Sequence, residues 1–239
     1  MVFRNLKSSF LWKNAKGVTA IGRHSIKGDA TIEGVSSGLS EAGILKAKNS
    51  AKRLPAGFRV FVSHGEQKRH LSTAKLMLES YEGFKAENVR LAEDLGFKCM
   101  KNVNAIEERI KATSDAQVLA DWVDGKISKD IIADPVQTGR AVLKYSLGET
   151  EKLISSSKER PLHLNLTSSW FDGVVLKALG IDYRSIKPKN LREKEKPLQG
   201  ETFKPTEAIL FFHVPRQGIA MRYRGRPFDV TKQLLSILK

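Results

Sequence analysis

The stretch Gly17-Val18-Thr19-Ala20-Ile21-Gly22-Arg23-His24 is a short apolar run that ends in glycine and then in two strongly hydrogen-bonding side chains. Gly17–Gly22 reads as a buried strand meeting a loop. The chain then repeats the plan. After a loop from Arg23 to Gly38, rich in glycine and small polar residues, Ser40 offers a cap and Glu41 a first-turn acid for a helix running to about Leu54. Ile44, Ala47, Ala51 and Leu54 keep helical spacing, which predicts one buried face. Pro55–Gly57 ends that helix, Phe58–Ser63 is a second strand, and a second helix covers about Lys68–Tyr81. Strand, helix, strand, helix predicts a parallel sheet covered by helices.

Asn88–Ala92 continues as a third strand, and residues from about 102 to 158 read as helical throughout, an inserted or capping subdomain beside the sheet. Asp134-Pro135 opens its longest helix with a cap and a proline at the first helical position. Pro161–Thr167 is a further strand, Trp170–Leu179 a helix, and Glu207–Val214 and Ile219–Tyr223 late strands joined through Pro215–Gly218. A last helix starts near Val230. The lysine-dense stretch Lys187–Lys204 reads as a basic surface loop. The expected fold class is α/β: a three-layer α/β/α sandwich with a mostly parallel central sheet and a helical insertion, in one domain over 1–239.

The 239 residues include 41 Lys+Arg against 26 Asp+Glu, for a formal net charge of +15. A surplus of this sign attracts anions such as nucleic acid, acidic lipid or phosphorylated molecules, and it equally describes a solvated basic surface. The longest aliphatic and aromatic run, Ala208–Phe212, is far short of the roughly 20 residues of a membrane-spanning helix, so no span is expected. The first sixteen residues are basic and free of acids. They read as a packed chain terminus or as a transit peptide, with a cytoplasmic location expected otherwise. The single cysteine, Cys99, excludes an internal disulfide. His24, His64, His70, His163 and His213 show no metal-ligand spacing, so neither metal nor cofactor is expected.

Arg23-His24 falls where the carboxyl edge of the sheet would lie, the edge at which open α/β sheets bind ligands. An Arg-His pair alone says little, since Arg69-His70 also occurs. Its surroundings say more. Arg23-His24 at the end of the first strand, Leu39-Ser40-Glu41-Ala42-Gly43 with Lys46-Ala47, and Ser63 with Arg69 and Thr73-Ala74 stand in order and close to the spacing of three segments of the histidine phosphatase superfamily, also called phosphoglycerate mutase-like. The chain resembles that family densely over about residues 17–80 and more loosely from Pro161 to Gly180. Two extra residues separate Ser63 from Arg69.

The resemblance implies that His24 is a nucleophile carrying a phosphoryl group, and that Arg23 and Arg69 hold phosphate oxygens. The chemistry is sound independently of the family. A neutral imidazole can attack phosphorus and split one hard step into two, while guanidiniums bind phosphate bidentately. The chain departs from the family at its second histidine, where Thr167-Ser168-Ser169 stands. His163 lies four or five residues too early, roughly 13–17 Å away at strand rise, and reads as a packed core histidine. Ser168, or Thr167, is the expected stand-in at the phosphate, and Glu93, with Asp94 beside it, the expected proton donor. Glu66 and His64 are candidate rim residues.

The leading expectation is a metal-independent phosphoester hydrolase or mutase-like enzyme, slow for want of the second histidine, acting on a phosphorylated small molecule or phosphoprotein. The first alternative is a catalytically degenerate binder of phosphorylated ligands. The second is a nucleic-acid-binding protein, suggested by the charge and by Arg222, Tyr223, Arg224 and Arg226 alternating along a strand.

Overall fold

The run at Gly17 folds as strand β1 (Gly17–Arg23), preceded by the short helix α1 (Ser8–Asn14). The structure, a computed structural model, describes residues 8–24, 38–81, 88–186 and 207–238. Ser40 caps helix α2 (Glu41–Ala51), its hydroxyl accepting from the Gly43 amide at 3.1 Å. Strand β2 (Arg59–His64), helix α3 (Lys68–Glu79) and the short strand β3 (Val89–Leu91) follow. Helices α4 (Val103–Ala112), α5 (Asp115–Val123) and α6 (Pro135–Ser156) precede β4 (Pro161–Thr167) and α7 (Ser169–Ala178). The last described elements are β5 (Ala208–Val214), β6 (Gly218–Tyr223), β7 (Arg226–Phe228) and α8 (Thr231–Leu238).

The strands form a seven-stranded sheet in the order β3-β2-β4-β1-β5-β6-β7. β3, β2, β4 and β1 are parallel, and β5, β6 and β7 add antiparallel pairs beyond β1. The strands expected at Gly17, Phe58 and Pro161 are therefore neighbours. Their carboxyl ends coincide, with Arg23 opposite Thr167 and His64 opposite Leu166. That register makes a single edge of three strand ends, where following loops and helix starts must meet.

Alternation along β1 sends Val18 and Ala20 to one face and Ile21 to the other. The first two pack with Val60, Val62, Leu162 and Leu164 against α1, α2 and α3, while Ile21 joins Ile209, Phe211 and Met221 under α5, α6, α7 and α8. The three-layer α/β/α sandwich is thus present, with β4 buried at every position. α6 and α7 cross closely at Gly139, where a Cβ would meet the Val174 carbonyl oxygen at 2.1 Å.

The α6 face of the sheet is joined by hydrogen bonds as well as by apolar contact. Arg90 Nε and the Tyr145 hydroxyl both donate to the Ser63 hydroxyl, at 3.1 and 2.9 Å. The remaining Ser63 proton is then the one shared with His163 Nε2 at 2.8 Å, leaving His163 Nδ1 to donate to Thr150 Oγ1 at 3.1 Å. Thr19 donates to Thr150 at 2.7 Å and meets His213 Nε2 at 2.9 Å. His163 is a satisfied core residue. Burial, reinforced by Arg90, holds it neutral, down to about 3, and burial takes His213 down to about 4.

Three sequence expectations change. Residues 102 to 158 are not helical throughout: Gly125, at φ 75°, follows α5, and the chain passes through a further turn, with the Ile131 amide on the Ser128 carbonyl at 3.0 Å, before Asp134. Arg222, Tyr223, Arg224 and Arg226 do not share one face. Arg224 (φ 49°) and Gly225 (φ 73°) form a two-residue hairpin turn into β7, Tyr223 is buried, and Arg224 is ion-paired with Glu207 at 2.8 Å. Ser63 lies inside β2 rather than at its end, so the extra residues lengthen the strand and Gly65 stands four positions before Arg69. The loop Lys187–Lys204 and residues 25–37 lie outside the described residues. Among the described residues no helix is long and apolar enough to cross a membrane.

The buried imidazoles predict acid sensitivity. His70 on α3 is likewise held neutral, down to about 3, whereas an unfolded chain takes up these protons near pH 6.5. The unfolded state therefore binds more protons below pH 6.5, and stability falls as pH falls from there towards 4. The expected loss between pH 7 and pH 5 is about 2 kcal/mol per histidine. Urea denaturation at the two pH values checks it, and His213→Asn should remove about one third of the difference.

Candidate active site

His24 is the first residue beyond β1. Its amide donates to the Thr167 carbonyl at 2.9 Å, so the backbone pairing of β1 with β4 carries on one step past the strand and fixes where the imidazole begins. Arg69 sits in the first turn of α3, the helix that follows β2. Its Nε donates to His24 Nε2 at 3.0 Å. That bond shows the Nε2 lone pair facing the guanidinium, as it must in a neutral imidazole protonated on Nδ1. Both side chains are buried, at 4% and 8% exposure. Burial pulls the Arg69 guanidinium down to about 10, with Asp115 opposing and Arg23 adding to the shift, so it remains cationic at neutral pH.

Of the two hydroxyls at the end of β4, Thr167 is committed: it donates to the Leu95 carbonyl at 2.9 Å. Ser168, the residue before α7, is 5% exposed, and its hydroxyl has no partner among the described residues. It stands at the N-terminus of a helix, beside the strand end that carries His24, where backbone amides and a hydroxyl suit an anion. Arg23, half-buried at the end of β1, acts electrostatically on both Arg69 and Asp172. The strand register sets the backbone of Arg23 and His24 beside that of Thr167, one residue before Ser168, and the Arg69–His24 bond adds the first turn of α3.

The carboxylates are distributed otherwise than the sequence suggests. Glu93 lies in a 3₁₀ turn, exposed and ion-paired with Lys98, whose hydrogen bond lowers its pKa. Glu66 is exposed and accepts from the Phe97 amide at 2.9 Å, and His64 Nδ1 meets the Gly65 carbonyl at 2.8 Å. The carboxylate that bears on Arg69 is Asp115, at the start of α5 in the helical insertion, where it accepts from the Trp170 indole at 3.1 Å. Asp172, one turn into α7, is fully buried, and burial with Glu207 nearby raises its pKa well above the carboxylate range. Burial pushes the Cys99 thiol up to about 12, which removes it as a nucleophile. Among the described residues no group of three His, Cys, Asp or Glu is placed to hold a metal ion.

Asp115 and His70 escape sequence reading for different reasons. The Ser114-Asp115 pair signals a helix start but not where that helix docks. His70 is visible beside Arg69, yet nothing local separates it from a chance pair.

No family model matches the chain, and no curated protein matches it in sequence. Solved structures do match. Phosphoglycerate mutase from Bacillus anthracis is 12% identical with a TM-score of 0.53, covering 95% of this chain and 100% of its own. The chain has the histidine phosphatase fold. YhfR from Bacillus stearothermophilus (14% identity, TM-score 0.53, 84% and 96% coverage) agrees, as does phosphoserine phosphatase from Entamoeba histolytica in complex with phosphoserine (11%, 0.50, 90% and 98%). At these identities the likeness concerns the fold.

If that edge binds an oxyanion, Arg69→Ala weakens inorganic phosphate binding by on the order of 1.5–3 kcal/mol, the worth of a charged hydrogen bond. Calorimetric titration of wild type and variant checks it, and equal affinities would place the anion site elsewhere.

Proposed function

We propose that this protein is a metal-independent phosphoester hydrolase, or mutase-like phosphoryl transferase, of the histidine phosphatase type, with His24 as nucleophile. The observation that carries the reading is the buried Arg69 Nε to His24 Nε2 bond at a shared strand edge. An imidazole with its Nε2 lone pair held by a guanidinium is a nucleophile beside an oxyanion binder. A phosphoester entering the edge takes the guanidinium onto its oxygens and leaves Nε2 facing phosphorus. Arg23 and Ser168 complete the cradle.

Asp115 is the proton donor of this reading in place of Glu93, being the carboxylate felt at Arg69 and aligned by the Trp170 indole. Ser168 supplies a neutral hydroxyl where a second imidazolium would supply charge, so turnover is slow. Loss of one preorganised donor costs about 2.7–4 kcal/mol, a hundred- to a thousandfold in rate. The same neutral hydroxyl favours the second reading, a phospholigand-binding protein without turnover. Substrates are phosphorylated small molecules or phosphoproteins.

Hydrolysis of an aryl phosphate by wild type, His24→Ala and Ser168→His separates the two. The expected order is Ser168→His above wild type, with His24→Ala inactive. Activity surviving in His24→Ala refutes the mechanism, and an inactive wild type favours the binder. Asp115→Asn should slow alkyl phosphates by about 10²–10⁴ while leaving aryl phosphates with good leaving groups nearly untouched.

A further inference from the structure

Behind His24 stands a second imidazole that this reading does not use. His70 follows Arg69 in the first turn of α3 and is fully buried. Its ring centroid lies 5.2 Å from that of His24, with the planes inclined by 33°. Neither ring nitrogen of His70 makes a hydrogen bond of ordinary geometry among the described residues. The space is shaped for the ring. A Cβ on Gly65 would come within 2.7 Å of His70 Nδ1 and 2.5 Å of the Leu95 carbonyl oxygen. Bare backbone at the end of β2 is what admits the imidazole to the back of His24.

An imidazole whose ring nitrogens meet nothing better than the Gly65 backbone is a costly filler for a buried space that an apolar side chain would occupy more cheaply. Its flat, neutral ring becomes intelligible from what His24 undergoes. When Nε2 attacks, its lone pair forms the N–P bond and the ester P–O bond breaks. The electron pair of that bond leaves on oxygen, which takes its proton from the Asp115 carboxyl. Nδ1 keeps its own proton, so the His24 ring becomes a cationic phosphoimidazolium. It stays so until water attacks phosphorus and the N–P pair returns to Nε2. Arg69 and Arg23 already place two cations at this edge, so a cationic ring needs attraction from another side. A neutral aromatic ring provides it.

We propose that His70 is a positioning residue for the phosphoryl intermediate: its neutral ring fixes the orientation of His24 and lies against the positive charge that ring acquires, with Gly65 as the gap that admits it. The proposal rests on His24 being the nucleophile. Burial, with Arg69 and His64 adding to it, holds His70 down to about 3, so His70 does not itself become a competing cation at working pH. Aromatic neutrality, not basicity, is the property His70 contributes.

Two readouts test this on the full chain with His70→Phe, which keeps a flat neutral ring, and His70→Leu, which does not. Protonated His24 is an unreactive surrogate for the cationic intermediate, so its titration, followed by NMR of histidine-labelled protein, needs no catalysis. Arg23, Arg69, His64 and Asp115 are the same in both variants. The His24 midpoint should move to lower pH by about half a unit in His70→Leu and stay in place in His70→Phe. In single-turnover reaction with dinitrophenyl phosphate, phosphorylation should slow about tenfold in His70→Leu at unchanged KM, and by less than about threefold in His70→Phe. Gly65→Ala, which pushes the ring from its place, should behave as His70→Leu does. Melting curves show that each variant is folded. The proposal is overturned if His70→Leu matches wild type in the titration, or if His70→Phe shifts as far as His70→Leu. A wild type that never becomes phosphorylated would overturn the function proposed above, while the titration would still decide the role of His70.

Discussion

The Arg69–His24 hydrogen bond joins residues 45 positions apart, and it exists only because β1, β4 and β2 lie side by side and end together. Slipping β4 by one residue against β1 would turn Thr167 and Ser168 to opposite faces and move the start of α7 off the site. The register is held by a wholly buried central strand on one side and by the His163–Ser63–Thr150–Thr19 network on the other. The buried polar chain lies between the sheet and α6, yet it sustains the geometry at the strand ends, because each of its members has one position in which its protons and lone pairs are satisfied.

Charge at the edge follows the same economy. Two guanidiniums close to a histidine would repel each other in an apolar site, and burial does depress Arg69. The cost is offset by Asp115 from the insertion. An oxyanion bound at that edge would offset it further.

Much of the fold was legible because its determinants are local. The apolar run before Arg23, the Ser40 cap, the Asp134-Pro135 start of α6 and the alternation in Pro161–Thr167 each act within a few residues. That Arg23-His24 and Thr167-Ser168 would meet at one edge was legible as well, since strand ends in a parallel sheet share an edge, whereas Arg69 was singled out by the family resemblance. The rest depends on tertiary placement. Glu93 has the sequence position of a proton donor, but Lys98 five residues on captures it. Asp115 is placed by the docking of α5 against α7, and His70 by the missing side chain at Gly65. The basic residues near Tyr223 alternate in sequence, but a left-handed turn at Arg224-Gly225 folds them onto different strands.

The central claim is that Nε2 of His24 takes a phosphoryl group. Its most direct measurement is to mix the protein with excess dinitrophenyl phosphate, quench in alkali, where phosphohistidine survives, and map the label by mass spectrometry. The account predicts one acid-labile phosphoryl group, on His24, lost in His24→Ala. A label on any other residue, or hydrolysis proceeding with His24 never labelled, would contradict it.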